Sequence, residues 1–180
     1  HVRITDITHG VPAFDVRAGS LALARAIQYV PDGVVIAVVD PGVGSTRRAI
    51  AIEVSGGRGV LLGPDNGLLA SAAAMAGGAE RGFELSNAML HFEAPGTTFA
   101  GRDIFAPVAA FLCKGGAIEE VGMEVDSASV MPGLVPIPTN DTHTSYGDGV
   151  RCEVTWVDVY GNCQLNIGPE DLTHLGPVLR

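Results

Sequence analysis

The sequence has few cysteines and few aromatic residues. Its three cysteines, Cys113, Cys152 and Cys163, lie far apart in a chain of 180 residues and form no Cys-x-x-Cys pair. This number and spacing argue against a disulfide framework and against a zinc site, so we interpret them as reduced, partly buried thiols. Aromatic residues make up only 6% of the chain. We therefore expect a core built mainly from Ala, Val, Leu and Ile.

Basic residues and long hydrophobic runs are also scarce. Eleven Lys and Arg stand against 20 Asp and Glu, the net charge is −9, and no basic stripe is present. A nucleic-acid partner is therefore not expected. The longest hydrophobic run, residues 34–39, has the length of a strand and falls short of the roughly 18 residues of a spanning helix. Residues 1–6 show no secretory pattern, so we expect a cytoplasmic protein with no membrane partner.

Several well-known site motifs are absent. No Gly-x-x-x-x-Gly-Lys-Ser/Thr sequence occurs and no Gly-x-Gly-x-x-Gly opens a helix, so nucleoside triphosphates and dinucleotides are poor candidates. No Gly-x-Ser-x-Gly supports a Ser-based triad. His9, His91, His143 and His174 show no metal-ligand spacing. We predict neither a metal nor a cofactor.

Hydrophobic residues account for 47% of the chain, as in a packed globular protein. Strands alternate with helical patterns, which predicts an α/β domain with a parallel or mixed sheet. The continuous run at 34–39 is typical of a strand buried on both faces. The predicted strands are 2–7, 34–39, 49–54 and 59–62. Three helices are predicted: one that begins after the cap Asp15, one over 67–75, and one over 104–112 that begins after the cap Asp103.

The composition changes after residue 130. Residues 131–138 contain three prolines, which indicates a linker. Residues 150–159 alternate and carry Val, Thr, Trp and Tyr, typical of a strand. We predict an α/β domain over 1–130, a linker over 131–140 and part of a β-rich domain over 141–180. Because residue 2 already lies in a predicted strand and two final strands are too few for independent stability, we expect the chain to be truncated at both ends.

The strongest local signal is Val-Val-Asp-Pro-Gly-Val-Gly-Ser at residues 38–45, with Arg47 just beyond. Ligands of open α/β sheets lie at the carboxyl ends of strands, where Asp40 falls. Gly42 and Gly44 allow a ligand to approach the backbone closely. Asp40 is therefore a candidate functional acid, with Arg47 folded back as its charge partner. Equally, Asp40 caps the turn and Arg47 lies on the surface, and spacing alone does not choose between these interpretations.

Two further clusters could carry chemistry. In residues 97–107, Gly101 precedes a predicted helix N-terminus, where free N–H groups can hold an anion or an oxygen nucleophile, and Phe99 offers a flat apolar wall. Arg102 and Asp103 there equally suit a structural ion pair and a cap. In residues 158–162, Tyr160 can stack on a ring and Asn162 can bind a purine edge, although ordinary hairpin chemistry explains them as well. Gly-Pro-Asp-Asn-Gly at 63–67 is most simply a turn.

Taken together, these stretches resemble the S-adenosyl-L-methionine hydroxide adenosyltransferases, which are relatives of the fluorinases and chlorinases. The matching stretches follow the family's order and are residues 6–9, 12–16, 38–44, 63–67, 101–107, 160–162 and 166–167. The resemblance implies an N-terminal α/β domain, a smaller β-barrel-like C-terminal domain, and a homotrimer that holds its ligand between subunits.

The resemblance also implies an activity, in which water attacks the C5′ carbon of S-adenosyl-L-methionine and gives adenosine and L-methionine without metal or cofactor. Asp40 and Arg47 match the family's Asp and Arg beside that water. In the halogenating branch the Asp position is a Tyr and the Arg is not kept, which favours water over halide here. By the same resemblance, the substrate-binding positions are Phe14 and Phe99 for the adenosyl pocket, Gly101 for a backbone N–H, and Asp158, Tyr160 and Asn162 in the second domain.

Two departures from the family pattern stand out. The family's His between Phe99 and Gly101 is Ala100 in this chain. The family's opening Thr-Asp-Phe-Gly stretch, whose Asp holds the ribose, has no counterpart here. Two alternatives therefore stay open: a catalytically impaired protein that binds adenosine or S-adenosyl-L-methionine, and, less favoured, a halogenase that uses S-adenosyl-L-methionine.

Overall fold

A computed structural model describes residues 2–133, 139–144 and 147–173, with only the backbone described for 141–144 and 147–148. The chain forms two compact units, His1–Leu134 and Val135–Arg180. Within the described residues, no helix combines the length and the apolar character needed to span a membrane.

The first unit is built on a five-stranded sheet. Its strands are β1 (Gly33–Ile36), β2 (Ala49–Val54), β3 (Gly59–Pro64), β4 (Arg81–Glu84) and β5 (Met123–Val125), in the spatial order β1-β3-β2-β4-β5. β1 pairs with β3 in parallel, whereas the β2–β3, β2–β4 and β4–β5 pairs are antiparallel. The predicted mixed sheet of an α/β domain is confirmed.

Helices cover both faces of this sheet because its central strand is apolar on both sides. Ile50 and Ile52 of β2 join a core cluster with residues of α1 (Val16–Ile27) and α2 (Ala70–Met75). The intervening Ala51 joins a second cluster with Val108 of α3 (Ala106–Cys113). Side chains alternate between the two faces of a strand, so α1 and α2 lie on one face of the sheet and α3 on the other.

Local sequence explains where α1 begins. The carboxylate of Asp15 accepts a hydrogen bond of 2.8 Å from the Ala18 N–H, which confirms the predicted cap. α2 is shorter than predicted, since it begins at residue 70. The preceding residues form a turn in which the Leu68 N–H donates to the Asn66 side chain over 3.1 Å.

Two predictions about strands in this unit are wrong. Residues 2–7 pair with no described strand, so they form no strand themselves, and they are exposed. β1 ends at residue 36, and it lies at the edge of the described sheet. Ile36 and Val38 are consequently 42% and 43% exposed, where the sequence predicted burial on both faces.

The predicted cap of the third helix is also wrong. A π-helical turn, Gly101–Phe105, precedes α3, and the residue before it is Ala100, which makes no side-chain cap bond. Asp103 lies inside this turn and is buried. Its carboxylate binds Arg102 instead of the backbone N–H groups of a helix start.

The second unit contains two antiparallel hairpins in its described part. One pairs β6 (Thr139–Thr144) with β7 (Gly147–Arg151), and the other pairs β8 (Val154–Val157) with β9 (Cys163–Leu165). The predicted strand over 150–159 is therefore wrong, because the chain leaves β7 at residue 151 and enters β8 at 154. A barrel stays a prediction, and the predicted linker falls partly on 134–138, outside the described residues.

The cysteines are free thiols, but they are less buried than predicted. Cys113 and Cys163 are exposed and Cys152 is half-buried. Cys113 ends α3 and Cys163 begins β9, two positions where the chain reaches the surface.

Candidate active site

A buried ion pair lies just beyond β1. The chain continues along β3 for one more residue, with the Ala37 N–H donating to the Leu62 carbonyl over 2.9 Å, and then turns at Asp40. Arg47 Nε donates to Asp40 Oδ1 over 3.1 Å, and Arg47 Nη2 donates to Asp40 Oδ2. The side chains of Asp40 and Arg47 are only 4% and 12% exposed. Arg47 is thus the charge partner of Asp40, and its interpretation as a surface residue is excluded.

The turn between these residues holds the pair in place. The Gly42 N–H donates to Asp40 Oδ1 over 3.2 Å, so Asp40 caps the turn as well as binding Arg47. Ser45 Oγ donates to the Gly42 carbonyl over 2.6 Å and accepts from the Arg47 N–H over 3.2 Å. Asp40 therefore caps the turn and binds Arg47 at once, because one carboxylate has room for both kinds of bond, and its role as a functional acid stays a prediction.

The cluster around residue 100 adjoins this turn. Gly44 has a φ of 80°, and a Cβ added to it would lie 2.9 Å from Thr97 Oγ1. A Cβ added to Gly101 would lie 3.8 Å from Val38 Cγ2, in ordinary contact. Val43 packs against the core cluster that contains Ala100. The fold therefore brings the first two sequence clusters together.

Ala100 itself is 5% exposed and belongs to the apolar core beneath the turn. Its methyl group can neither donate nor accept a proton. The buried ion pair thus adjoins a segment with an apolar residue at the one position where the resemblance expected an imidazole.

An aromatic ring with a cation on one face lies next to Ala100. Phe99 is 60% exposed, and the guanidinium carbon of Arg102 lies 4.8 Å from the centre of its ring. Arg102 Nε and Nη2 donate to the two oxygens of Asp103 over 2.6 and 2.9 Å. These hydrogen bonds from Arg102 lower the pKa of Asp103, and those to Asp103 raise the pKa of Arg102. The structural ion pair proposed for these two residues is confirmed.

Phe14 precedes the cap of α1, and no described contact joins it to Phe99. Its φ of 67° lies in the left-handed region that a bulky side chain rarely adopts, and its ring is exposed. Backbone strain of this kind often accompanies functional sites. The role of Phe14 in the adenosyl pocket stays a prediction.

The third cluster belongs to the second unit and forms the β8–β9 turn. Asp158 accepts hydrogen bonds from Asn162 Nδ2 over 2.7 Å and from the N–H groups of Tyr160 and Asn162 over 2.9 Å each. These bonds, led by the one from the Asn162 side chain, lower the pKa of Asp158. The Tyr160 ring is exposed. Hairpin chemistry accounts for the described contacts, and a role in substrate binding stays a prediction.

Sequence reasoning missed two features, the bonds of the 63–67 turn beside the ion pair and the buried ring nitrogen of His91. Asp65 and Asn66, treated as ordinary turn residues, bond to the backbone on either side of the pair. The Gly-Pro-Asp-Asn-Gly pattern was visible, but no sequence signal shows which distant carbonyl an Asn amide will reach. His91 Nε2 is buried and has no hydrogen-bond partner among the described residues, and burial lowers the pKa of this imidazole. Among the residues that the structure describes, no group of three or more His, Cys, Asp or Glu could hold a metal ion.

Comparisons with known proteins agree on one protein family. The family of SAM hydroxide adenosyltransferase N-terminal domains matches residues 1–122. An (R)-S-adenosyl-L-methionine hydrolase of Salinispora tropica is 46% identical over 163 residues, which cover 91% of this chain and 60% of that protein. Another protein of that name, from Thermus thermophilus, is 40% identical over 167 residues, covering 88% of this chain and 60% of its own length.

More distant relatives and a solved structure extend the comparison. A fluorinase of an Actinoplanes species is 26% identical over 198 residues, covering 97% of this chain and 65% of that protein. The crystal structure of an uncharacterized conserved protein from Thermotoga maritima superposes with a TM-score of 0.78 at 37% identity, covering 95% of this chain and 62% of that chain. The chain thus spans about 60% of the length of the hydrolases that it matches.

Proposed function

The chain belongs to the SAM hydroxide adenosyltransferase family, and from this premise we propose that the protein hydrolyses S-adenosyl-L-methionine to adenosine and L-methionine. Its relatives named as hydrolases are 46% and 40% identical to it, whereas the fluorinase is 26% identical. The substrate is S-adenosyl-L-methionine itself, with no metal and no cofactor taking part.

The observation that carries the proposal is the buried Asp40–Arg47 pair. In the described part of the chain, Asp40 Oδ1 accepts from Arg47 Nε and the Gly42 N–H, whereas Oδ2 accepts only from Arg47 Nη2. A carboxylate has about four acceptor sites, so about one remains, on Oδ2. That site can accept a hydrogen bond from one water molecule and so aim its lone pair.

The reaction needs little else from the protein. The water oxygen uses a lone pair to form a bond to C5′ while the C5′–S bond breaks. The electron pair of the breaking C5′–S bond stays on sulfur, which turns the sulfonium into the thioether of methionine. Because a sulfonium leaves readily, no acid is needed to expel it. Holding the water in line with the breaking bond can lower the barrier by about 7–11 kcal/mol in favourable cases. The Arg47 guanidinium balances the charge of Asp40 while the carboxylate stabilises the positive charge that develops on the water.

The proton that the water must lose has no evident acceptor at residue 100. Positioned general bases typically contribute about 10²–10⁴-fold to a rate. With Ala100 in the position of the family's His, we propose that proton loss to solvent limits turnover of this chain. The adenosyl group is expected to contact Phe14, Phe99 and the Gly101 N–H.

We further propose that the second unit contributes Asp158, Tyr160 and Asn162 to substrate binding. The support is their match to family positions, together with the exposed Tyr160 ring. A homotrimer with the site between subunits, in the cytoplasm, is the assembly that the family resemblance favours.

The first prediction is that Ala100→His increases adenosine release by about 10²-fold or more, because it supplies a general base beside the Asp40–Arg47 pair. The measurement is chromatography of adenosine after incubation with S-adenosyl-L-methionine in halide-free buffer. Thermal unfolding serves as a folding control, since residue 100 is buried. Ala100→His combined with Asp40→Ala is the matched negative variant. A folded Ala100→His protein with no gain would contradict the assignment of the missing base.

A second candidate function is binding without turnover, and the apolar Ala100 favours it. Titration calorimetry would then show binding of S-adenosyl-L-methionine or adenosine to the parent chain, and chromatography would show no adenosine release even at long times. Halide attack is less favoured because the Asp40 carboxylate would repel an anion. Halide-dependent formation of a halogenated adenosine would instead favour halide attack over hydrolysis.

A further inference from the structure

The turn at residues 63–67 bonds to the backbone on both sides of the Asp40–Arg47 pair. It begins in the last two residues of β3, which is the parallel neighbour of β1. The turn therefore comes to the same edge of the sheet as the end of β1, where the pair lies. Two of its residues, Asp65 and Asn66, make separate hydrogen bonds there.

Asn66 holds the approach to Asp40. Its side-chain Nδ2 donates to the Val39 carbonyl over 2.9 Å, one residue before the carboxylate. Its Oδ1 accepts from the Leu68 N–H over 3.1 Å, which closes the local turn. Beyond the bond from the Ala37 N–H to β3, the chain at 38–40 has left its ladder. The Asn66 amide thus supplies a hydrogen-bond partner where the chain beyond β1 has left the ladder.

Asp65 holds the other half of the pair through the backbone. The Arg48 carbonyl accepts from the Asp65 N–H over 3.0 Å and also from Arg47 Nη1 over 2.7 Å. The Asp65 carboxylate in turn binds Arg48 Nε over 2.9 Å and accepts from the Met131 N–H over 2.7 Å. The Arg48 carbonyl, which binds Arg47 Nη1, is therefore itself held by the 63–67 turn.

We propose that Asn66 is a positioning residue, whose amide fixes the backbone at Val39 so that the Asp40 carboxylate and the Arg47 guanidinium keep a single bidentate geometry. Its kinetic consequence rests on the proposed function, whereas its structural consequence does not. Asn66 contacts no reacting atom in this account. It acts through the Val39 carbonyl on the residue that follows.

The fold supplies a matched control in Asn87. Asn87 Nδ2 donates to the Glu120 carbonyl over 2.7 Å and its Oδ1 accepts from the Met89 N–H over 3.1 Å, so it makes the same two kinds of bond as Asn66. Both asparagines are half-buried. The carbonyl that Asn87 holds lies beside the buried residue Val121 and not beside Asp40.

The test compares Asn66→Ser with Asn87→Ser, each in the Ala100→His background. Serine retains an acceptor for the N–H two residues on, but it is too short to reach the distant carbonyl, and it adds no charge near Asp40. Hydrogen exchange of the Arg47 Nε–H, followed by NMR, should be at least about fivefold faster in Asn66→Ser, the factor expected for one net hydrogen bond. kcat should fall by about 10–10²-fold with KM within about twofold, because the substrate still binds while the water is misplaced.

The outcomes separate this inference from the proposed function. Asn87→Ser should leave both quantities at parent values. If Asn66→Ser matches Asn87→Ser in exchange, or accelerates exchange without lowering kcat, the positioning role is overturned. If the parent background releases no adenosine at all, the proposed function fails, and the exchange comparison alone decides the role of Asn66. Should Asn66→Ser not fold, Asn66→Thr against Asn87→Thr repeats the comparison with another short, uncharged acceptor.

Discussion

The carboxylate of Asp40 accepts three hydrogen bonds in the described structure, two from Arg47 and one from the Gly42 N–H. A buried ion pair contributes little net stability on average, because both ions lose their hydration. This pair lies at a strand end, where α/β proteins place their ligands, and not in the middle of the core. Its position therefore fits a chemical role better than a purely stabilising one.

Local sequence marked Asp40 as a candidate and left two interpretations open for Arg47. The end of a hydrophobic run marked the carboxylate, whereas a separation of seven residues left Arg47 free to lie on the surface. The turn decided the question, since Ser45 bonds both to the Gly42 carbonyl and to the Arg47 N–H and so folds the chain back. The hydrogen bond of Asn66 was beyond prediction for the same reason, because the Val39 carbonyl lies 27 residues away along the chain.

A prediction at the residue scale concerns His91 and pH. Burial lowers the pKa of His91 below its ordinary value of 6.5, so the folded state binds this proton less readily than the unfolded chain does. Its contribution to stability is therefore complete above pH about 6.5 and decreases as the pH falls below that value. Urea unfolding between pH 5 and pH 8 should show a smaller dependence on pH in His91→Gln than in the parent.

The control for that experiment is His9→Gln, because the His9 side chain is 85% exposed. It removes one exposed histidine and leaves the half-buried imidazole of His91 in place. A parent and a His91→Gln variant with the same pH dependence would contradict the account of His91.

At the scale of elements, hydrophobic pattern predicted three of the five strands described in the sheet and missed β4 and β5. β2 matches its predicted range of 49–54, and β3 begins at residue 59 as predicted. β1 carries the first half of the longest hydrophobic run, yet it lies at the edge of the described sheet, and Ile36 and, just beyond the strand, Val38 are exposed. Composition indicates how apolar a strand is, but the strand's place in the sheet depends on pairings that no single segment specifies.

The start of the third helix shows a different limit. Asp103 looks like a cap because Asp is favoured at helix starts, yet its carboxylate binds the adjacent Arg102 and the chain winds into a π-helical turn instead. π-helical turns are rare and frequent at functional sites, and no residue pattern announces them. The turn places Gly101 near Val38, two residues before Asp40.

A prediction at the element scale concerns the first helix. Asp15→Ala removes the acceptor for the Ala18 N–H and should lower the free energy of unfolding by about 1 kcal/mol, the usual cost of losing such a cap. Chemical denaturation measures the change. Asp15→Ser, which keeps a capping oxygen, should retain most of the stability. Equal losses in both variants would show that another interaction of Asp15 is responsible.

At the scale of the whole molecule, the sequence predicted an α/β unit followed by a β-rich one, and the mixed sheet of the first unit is confirmed. The second unit shows two hairpins in its described part, which establishes β structure but no barrel. Because the chain spans about 60% of the length of the hydrolases that it matches, the activity of the whole protein is a proposal that experiment must test.

The most direct test of the central claim, that the Asp40–Arg47 pair aims a water molecule at C5′, is an isotope experiment. Ala100→His protein is incubated with S-adenosyl-L-methionine in water enriched in ¹⁸O, and the adenosine formed is analysed by mass spectrometry. We predict adenosine with one ¹⁸O at its 5′ oxygen, formed at least about 10²-fold more slowly when Asp40 is changed to Ala. Adenosine without ¹⁸O, or labelled adenosine formed equally fast without the Asp40 carboxylate, would contradict the account.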